Sequence, residues 1–127
     1  MKRILLDTEV LIWCDANDPR LGDESRRLIQ HAIDVYVSAA SAWEIVIKQA
    51  LGKLQTTRQP MDAVVEAGFR PLPVSFEHAS EVGNLAPHHR DPFDRLIIAS
   101  ARVEGLTIIT SDARFRAYDV PLVDARH

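Results

Sequence analysis

Residues 3–13 have the sequence RILLDTEVLIW, and this stretch decides the fold. Residues 4–6 are all apolar and indicate a short strand buried on both faces, because a strand with one wet face alternates apolar and polar side chains. Asp7 ends the run, and the apolar residues from Val10 onward predict a helix. A strand followed at once by a helix is the unit from which parallel sheets are built.

The same alternation of strand and helix continues along the chain. The predicted strands are residues 3–6, 35–37, 71–74, 106–109 and 120–123. The predicted helices are residues 10–13, 23–33, 38–51, 61–67, 75–82, 91–104 and 111–115, with a polar loop at 56–60. Pro71 and Pro73 restrict one strand to a sheet edge, since proline donates no backbone hydrogen bond. We therefore expect an α/β fold, a three-layer sandwich in which helices flank a mostly parallel central sheet, with residues 1–127 as one domain.

Composition restricts the class of protein. Of the 127 residues, 46% are hydrophobic and 26% charged, an ordinary balance for a soluble globular chain. No apolar run approaches the roughly 20 residues needed to cross a bilayer. The single cysteine, Cys14, excludes an internal disulfide and fits the reducing cytoplasm, and its apolar neighbours favour a small buried residue over a nucleophile. The net charge of −3 argues against long, non-specific binding to a polyanion.

Four acidic residues lie where an apolar strand passes into a helix: Asp7, Glu44, Asp94 and Asp112. The carboxyl ends of strands in an open α/β sheet share one edge, and ligands bind there. Carboxylates gathered at that edge repel one another and raise each other's pKa unless a cation neutralises them. Mg²⁺ is a hard ion that prefers oxygen ligands and phosphate-bearing substrates. The pattern therefore predicts a metal-dependent enzyme that acts on phosphodiesters.

Each acid also has a structural explanation. Asp7 and Asp112 suit the N-cap of a helix. Glu44 completes a capping-box spacing with Ser41, and it can pair with Lys48 one turn later. The helix that contains Glu44 begins more naturally just after the strand, however, which leaves this acid in the second turn with nothing to cap.

Pro92 distinguishes the roles of the two acids on either side of it, Asp91 and Asp94. Pro92 suits the first helical position, so Asp91 is the expected cap and Asp94 has no capping duty. We therefore assign Asp91 to structure and Asp94 to chemistry, and whether Asp91 also contributes to the metal site stays open.

Other polar residues near these acids are weaker candidates. Thr8, Lys48, Arg95 and Ser111 are candidate substrate-binding residues, although Arg95 has the alternative of pairing with Asp91. His88 and His89 lie in a predicted loop, where they are candidates to bind a metal, but adjacent loop histidines are more often simply solvated, and we expect solvation.

Two tryptophans complete the sequence-based expectations. Trp13 and Trp43 are expected in the core rather than as platforms for stacked bases. In the 38–51 helix, one apolar side is expected to consist of Trp43, Ile47, Ala50 and Leu51.

Blocks of sequence, in order along nearly the whole chain, carry a resemblance to a known family. They are LLDT at 5–8, SAASAWEI at 38–45, IK at 47–48, LGKL at 51–54, HRDPFDR at 89–95 and ITSD at 109–112. In these blocks the chain resembles the PIN-domain ribonuclease toxins of the VapC type. One departure is Glu9, which stands where relatives often carry a histidine, and its role is open.

The resemblance implies a PIN-like fold and an activity. It implies a toxin that cleaves RNA with Mg²⁺ or Mn²⁺ through metal-activated water. Its catalytic and metal-binding acids would be Asp7, Glu44, Asp94 and Asp112. It also implies a cognate antitoxin as partner and a homodimer.

Two alternative functions stay open. Asp7 follows a strand and precedes Thr8 and Glu9, an arrangement that also fits a metal-dependent phosphatase with an aspartyl-phosphate intermediate. The other alternative is a catalytically inactive PIN-like module that only binds partners.

Overall fold

The structure is a computed structural model that describes residues 2–56 and 58–127. Met1 and Thr57, the latter within the predicted 56–60 loop, lie outside the described residues. The described residues form one five-stranded sheet, in which every strand pairs in parallel with its neighbours in the order β3-β2-β1-β4-β5. The strands are β1 (Arg3–Leu6), β2 (Asp34–Ser38), β3 (Arg70–Leu72), β4 (Thr107–Thr110) and β5 (Leu122–Asp124).

Helices occupy the connections between these strands. They are α1 (Thr8–Ala16), α2 (Asp23–His31), α3 (Ala39–Ala50), α4 (Pro60–Ala67), α5 (Phe76–Val82) and α6 (Pro92–Glu104), with a 3₁₀ helix at Ala113–Ala117. Within residues 2–56 and 58–127, no helix is both long enough and apolar enough to cross a membrane.

Consecutive residues of β1 enter two separate cores. Side chains alternate between the faces of a strand, so Ile4 and Leu6 pack on one side of the sheet and Leu5 on the other. The first core includes side chains of α1, α3 and α4, among them Val10, Leu11, Trp13, Ile45 and Val64. The second is built mainly on α6 and includes Leu85, Ile97, Ile98, Ile108 and Phe115. Helices therefore cover both faces, and the predicted α/β fold with three layers is confirmed.

The pairing register brings the strand ends to one edge. Leu6 pairs with Val37 of β2 and with Ile109 of β4. The residues that follow these three in sequence therefore lie at the carboxyl edge of the sheet. The predicted edge strand is also correct, since the proline-containing β3 pairs with β2 alone among the described strands.

The predicted face of α3 is wrong. The helix buries Ala40, Ser41, Glu44 and Ile45, whereas Trp43 and Leu51 are 62% and 63% exposed. Ser41, Glu44 and Ile45 are spaced three and four residues apart and share one face, so Trp43 turns away from the core. Trp43 is thus not a core residue, while the expectation that Trp13 is buried is correct.

Candidate metal centre

The carboxyl edge of the sheet holds a cavity of about 200 Å³ that is lined mainly by acids. The cavity is formed by residues from four separate parts of the chain, after β1, in α3, at the start of α6 and after β4. Its acidic lining consists of Asp7, Glu9, Glu44, Asp91, Asp94 and Asp112. The structure thus brings together all four acids that the sequence singled out.

Asp7 is fixed at the centre of this edge by two hydrogen bonds. It is the N-cap of α1, where its Oδ1 accepts from the backbone N–H of Thr8 at 2.7 Å. Its Oδ2 accepts from the Thr110 hydroxyl of the adjacent β4 at 2.8 Å. Burial raises the pKa of Asp7 to about 6, with further contributions from Glu44 and Asp112, although both hydrogen bonds act in the opposite direction. The capping role and a place in the cluster therefore coexist in one residue.

Glu44 reaches the cavity from the second turn of α3. The helix is capped by Ser38, whose hydroxyl accepts from the N–H of Ala40, so Glu44 has no capping duty. Its Oε2 lies 2.8 Å from the Lys48 ammonium, and this contact raises the pKa of Lys48. Its Oε1 is buried and has no hydrogen-bond partner among the described residues. An unpaired buried carboxylate oxygen is unfavourable unless a cation or water meets it.

Asp94 projects from the first turn of α6 next to its cap. Asp91 accepts from the backbone N–H groups of Phe93 and Asp94, as expected for the capping residue. The side chain of Asp94 is 13% exposed, and its Oδ2 lies 2.6 Å from Nε2 of His89. Burial raises the pKa of Asp94 to about 8, and the charges of Asp7, Asp91 and other nearby acids add to the effect. Without a cation, burial and the neighbouring charges therefore favour the protonated form of Asp94.

Asp112 differs from the other acids because an arginine pairs with it. Its two carboxylate oxygens accept from the guanidinium of Arg114, at 2.8–3.2 Å, and Oδ1 also accepts from the Arg114 backbone N–H. Burial alone would raise the pKa of Asp112, but the Arg114 hydrogen bonds outweigh it and the pKa lies below its ordinary value. Nε2 of His89 lies 3.6 Å from Oδ2 of Asp112. His89, Asp94 and Asp112 each offer a ligand atom, and these atoms lie within 4.8 Å of one another.

A sequence model of the PIN domain matches residues 4–121 of the chain. The chain belongs to the PIN domain family. Among curated proteins it is 30% identical over 128 residues to the ribonuclease VapC22 of Mycobacterium tuberculosis, covering 95% of each chain. PIN-domain proteins of the VapC type are therefore relatives of this chain.

Solved structures share the fold of this PIN domain. FitAcB from Neisseria gonorrhoeae is 25% identical, with a TM-score of 0.68 over 98% of this chain and 99% of that one. VapBC-5 of Mycobacterium tuberculosis, a member of the VapBC family of toxin–antitoxin systems, is 23% identical, with a TM-score of 0.66 over 97% and 98%.

The candidate substrate-binding residues of the PIN domain divide into two groups. Thr8, Lys48 and Ser111 line the acidic cavity, whereas Arg95 does not. The Arg95 guanidinium instead donates to backbone carbonyls of the segment before α6 and to the Tyr118 hydroxyl. It makes no side-chain bond to Asp91, so neither sequence-based role for Arg95 fits the structure.

Hydroxyl groups in the cavity have internal partners as well. The Thr8 hydroxyl donates to Ser41 at 2.9 Å, and Ser111 donates to Glu9 at 3.2 Å. Glu9 itself is exposed and lies on the rim of the cavity. Its side chain therefore adds negative charge at the entrance.

His89 is the main residue of the site that the sequence misplaced. The expectation that both loop histidines are solvated is correct for His88 but wrong for His89, which is 4% exposed. Thr110 was not singled out from the sequence either. Its position two residues before Asp112 was the available signal, and for His89 the signal was its place at the start of the HRDPFDR block.

Cys14 is partly buried, and burial raises the pKa of its thiol to about 11. A thiol with that pKa is almost wholly protonated near neutrality and is a weak nucleophile. Another cavity of the PIN domain, about 540 Å³, is lined by Cys14 and by residues of α2 and β2. Its acid Asp34 is paired with Arg70 at 2.8 Å, so this cavity lacks the free carboxylates of the smaller one.

Proposed function

We propose that this protein is a divalent-metal-dependent endoribonuclease and the toxin of a toxin–antitoxin pair. The observation that carries the proposal is the convergence of four carboxylates from distant segments on one small cavity. A curated ribonuclease relative that matches along 95% of the chain supports the reaction class. The four acids proposed as catalytic metal ligands are Asp7, Glu44, Asp94 and Asp112.

The residues present fit a hard divalent ion. Glu44 presents a buried oxygen with no partner in the described part of the chain. The raised pKa values of Asp7 and Asp94 reflect burial first and the charge of neighbouring acids second. Carboxylate oxygens without sulfur ligands suit Mg²⁺ or Mn²⁺. When bound, such an ion supplies Lewis acidity, which lowers the pKa of water and neutralises charge on the phosphodiester.

The chain's own residues hold this arrangement and receive the substrate. Thr110 and the backbone of Thr8 fix the orientation of the Asp7 carboxylate. Little rotational freedom of this side chain is therefore lost when a ligand binds. Lys48 and Arg114 are cations on the cavity wall, and they are suited to attract the phosphates of RNA. The side chains of Lys48 and Arg114 are 46% and 66% exposed, so both are accessible to a substrate in solution.

Cleavage of RNA by paired variants tests the proposal. Bacterial total RNA is incubated with Mn²⁺ and the purified protein, its Asp94→Asn variant or a control, Asp34→Asn. Asp34 also bears a carboxylate but lies at the start of β2, at the opposite edge of the sheet. We expect the cleavage rate of Asp94→Asn to fall by at least about 100-fold. Mutation of a residue that only hydrogen-bonds to a metal ligand already lowers activity by about 10–100-fold. Asp34→Asn should cut normally.

Undiminished cleavage by Asp94→Asn, or cleavage that persists with EDTA, would contradict the proposal. Separate experiments address the two alternatives. A phosphoaspartate trapped at Asp7 would indicate the phosphatase. Full biological effect of Asp7→Asn together with no Mn²⁺ binding would indicate the inactive module.

Partners complete the proposed function. The relation to toxin–antitoxin systems supports a cognate antitoxin as partner. A homodimer is supported by the apolar side chains exposed on α3, whose burial would favour association. We place the action in the cytoplasm, consistent with one unpaired cysteine, and take residues 1–127 as one domain.

A further inference from the structure

The segment between α5 and α6 buries one histidine beside an exposed one. His88 is exposed, whereas His89 is 4% exposed and directs its ring into the acidic site. The backbone N–H of His89 donates to the Tyr118 hydroxyl at 2.8 Å, and that hydroxyl in turn donates to the carbonyl of Ala86 at 2.8 Å. Tyr118 therefore fastens this segment at two points.

Arg95 fastens the same segment from α6. Its guanidinium donates to the Tyr118 hydroxyl at 3.3 Å and to four backbone carbonyls at 3.0–3.4 Å, those of Val82, Leu85, Ala86 and His89. A planar guanidinium with five donors is suited to this task, and lysine could not replace it. Since Arg95 follows Asp94 directly, α6 carries both the acid and the group that holds the histidine against it.

The distance between the histidine and the acid fits a hydrogen bond rather than two ligands of one ion. Nε2 of His89 is 2.6 Å from Oδ2 of Asp94. Neighbouring ligands in octahedral Mg²⁺ coordination at 2.0–2.1 Å stand about 2.9 Å apart. The Asp94 oxygen that faces His89 is thus engaged, and the other oxygen is left for the ion.

We propose that His89 is a positioning residue for Asp94, and that Arg95 and Tyr118 hold it in place by fixing the backbone of residues 82–89. The inference rests on the proposed function in that it takes Asp94 to be a metal ligand. Four other acids, Asp7, Glu44, Asp91 and Asp112, repel the Asp94 carboxylate, and the His89 hydrogen bond fixes its direction against them. Partners of this kind typically change metal affinity by 10–100-fold.

Mn²⁺ affinity, measured by titration calorimetry and by electron paramagnetic resonance, tests this role without relying on activity. His89→Leu removes the hydrogen bond at similar volume, and His89→Gln restores an N–H donor. We expect His89→Leu to bind Mn²⁺ 10–100-fold more weakly, with recovery of most of that loss in His89→Gln. Tyr118→Phe, which changes no residue of the cavity, should weaken binding by about 2- to 10-fold.

A second buried histidine provides the matched control. His78 is 1% exposed, and its Nε2 lies 2.7 Å from Glu104, far from the acidic cavity. His78→Leu removes an equivalent contact, and we expect its Mn²⁺ affinity to equal that of the unsubstituted chain. Should His89→Leu fail to fold, as judged by circular dichroism, Tyr118→Phe and the spectrum of the unsubstituted protein still decide.

Three results would overturn the inference. One is unchanged Mn²⁺ affinity in folded His89→Leu while the unsubstituted chain binds the ion, a result that leaves the proposed function intact. Another is direct ¹⁴N coupling from a coordinated imidazole in the spectrum of the unsubstituted protein, which would make His89 a ligand. The last is absence of Mn²⁺ binding by the unsubstituted protein, which would overturn the proposed function as well.

Discussion

Helix α3 has an inner side that faces the sheet and an outer side that faces solvent. Each side carries residues that folding alone would place on the other. The inner side buries the charged Glu44 beside Ser41 and Ile45. The outer side leaves Trp43, Val46 and Leu51 in water, 62%, 47% and 63% exposed. Charged groups are seldom buried without a partner, and large apolar groups clustered on a surface are common at binding sites.

This contrast identifies two places where α3 departs from what folding alone favours. A sequence that departs from local rules at a few positions commonly does so at functional sites. The inner departure belongs to the proposed metal centre, and the outer one to proposed association with a second copy. Ile45 and Val46 are adjacent in sequence, yet Ile45 is buried and Val46 is exposed, so neighbouring substitutions can separate the inner and outer sides.

The largest expected difference concerns packing. Ile45 is 4% exposed within the first core, so Ile45→Ala should lower the free energy of unfolding by about 2–5 kcal/mol. Val46→Ala should change it by no more than about 0.5 kcal/mol. Urea denaturation at low protein concentration, where association is negligible, measures both. Equal losses would show that the two sides do not differ in this way.

A smaller effect is expected from the charge on the inner side. The pKa of Asp94 is raised to about 8 in the folded protein, so folding binds a proton that the unfolded chain releases near pH 4. Stability without metal should therefore fall as pH rises from 5 to 8, on the order of 1–2 kcal/mol once partial solvent access is allowed for. Asp94→Asn should flatten the slope in thermal unfolding with EDTA. A slope unchanged by this substitution would contradict the assignment.

The last expected effect is on association through the outer side. Leu51→Glu places a charge among apolar residues and should weaken homodimerisation by about tenfold, or about 1.4 kcal/mol. Phe76→Glu is the matched control, because Phe76 is 95% exposed but lies on α5. Light scattering over a dilution series measures both. If only the control dissociates, the dimer uses a different surface.

Much of the fold was predictable because the relevant information is local. The predicted 3–6 strand matches β1, and Asp91 with Pro92 marked the start of α6 at the correct residues. Asp7 and Asp112 were found because a parallel sheet gathers strand ends at one edge, which requires only the order of elements. Asp94 lies instead on a helix that follows α5 and a loop, and it was found because Asp91 already caps that helix.

The wrong predictions concern the buried face of α3 and the burial of His89. In both cases the local sequence is compatible with two arrangements. Helix α3 carries apolar side chains on both sides, so periodicity could not choose between Ile45 and Trp43 as the buried residue. His89 is held in its buried position by Tyr118, 29 residues later, which accepts its N–H, and by Arg95, which donates to its carbonyl. No pattern within the loop specifies such a contact, and the true role of Arg95 was hidden for the same reason.

One contact described above gives the site an additional property. The hydroxyl of Thr110 reaches Asp7 across 103 residues of sequence, and β1 and β4 must be paired before that bond exists. Contacts so distant along a chain are slow to form during folding. A fragment that lacks either strand cannot form this bond, so we expect hydrolytic activity also to report that β1 and β4 have paired.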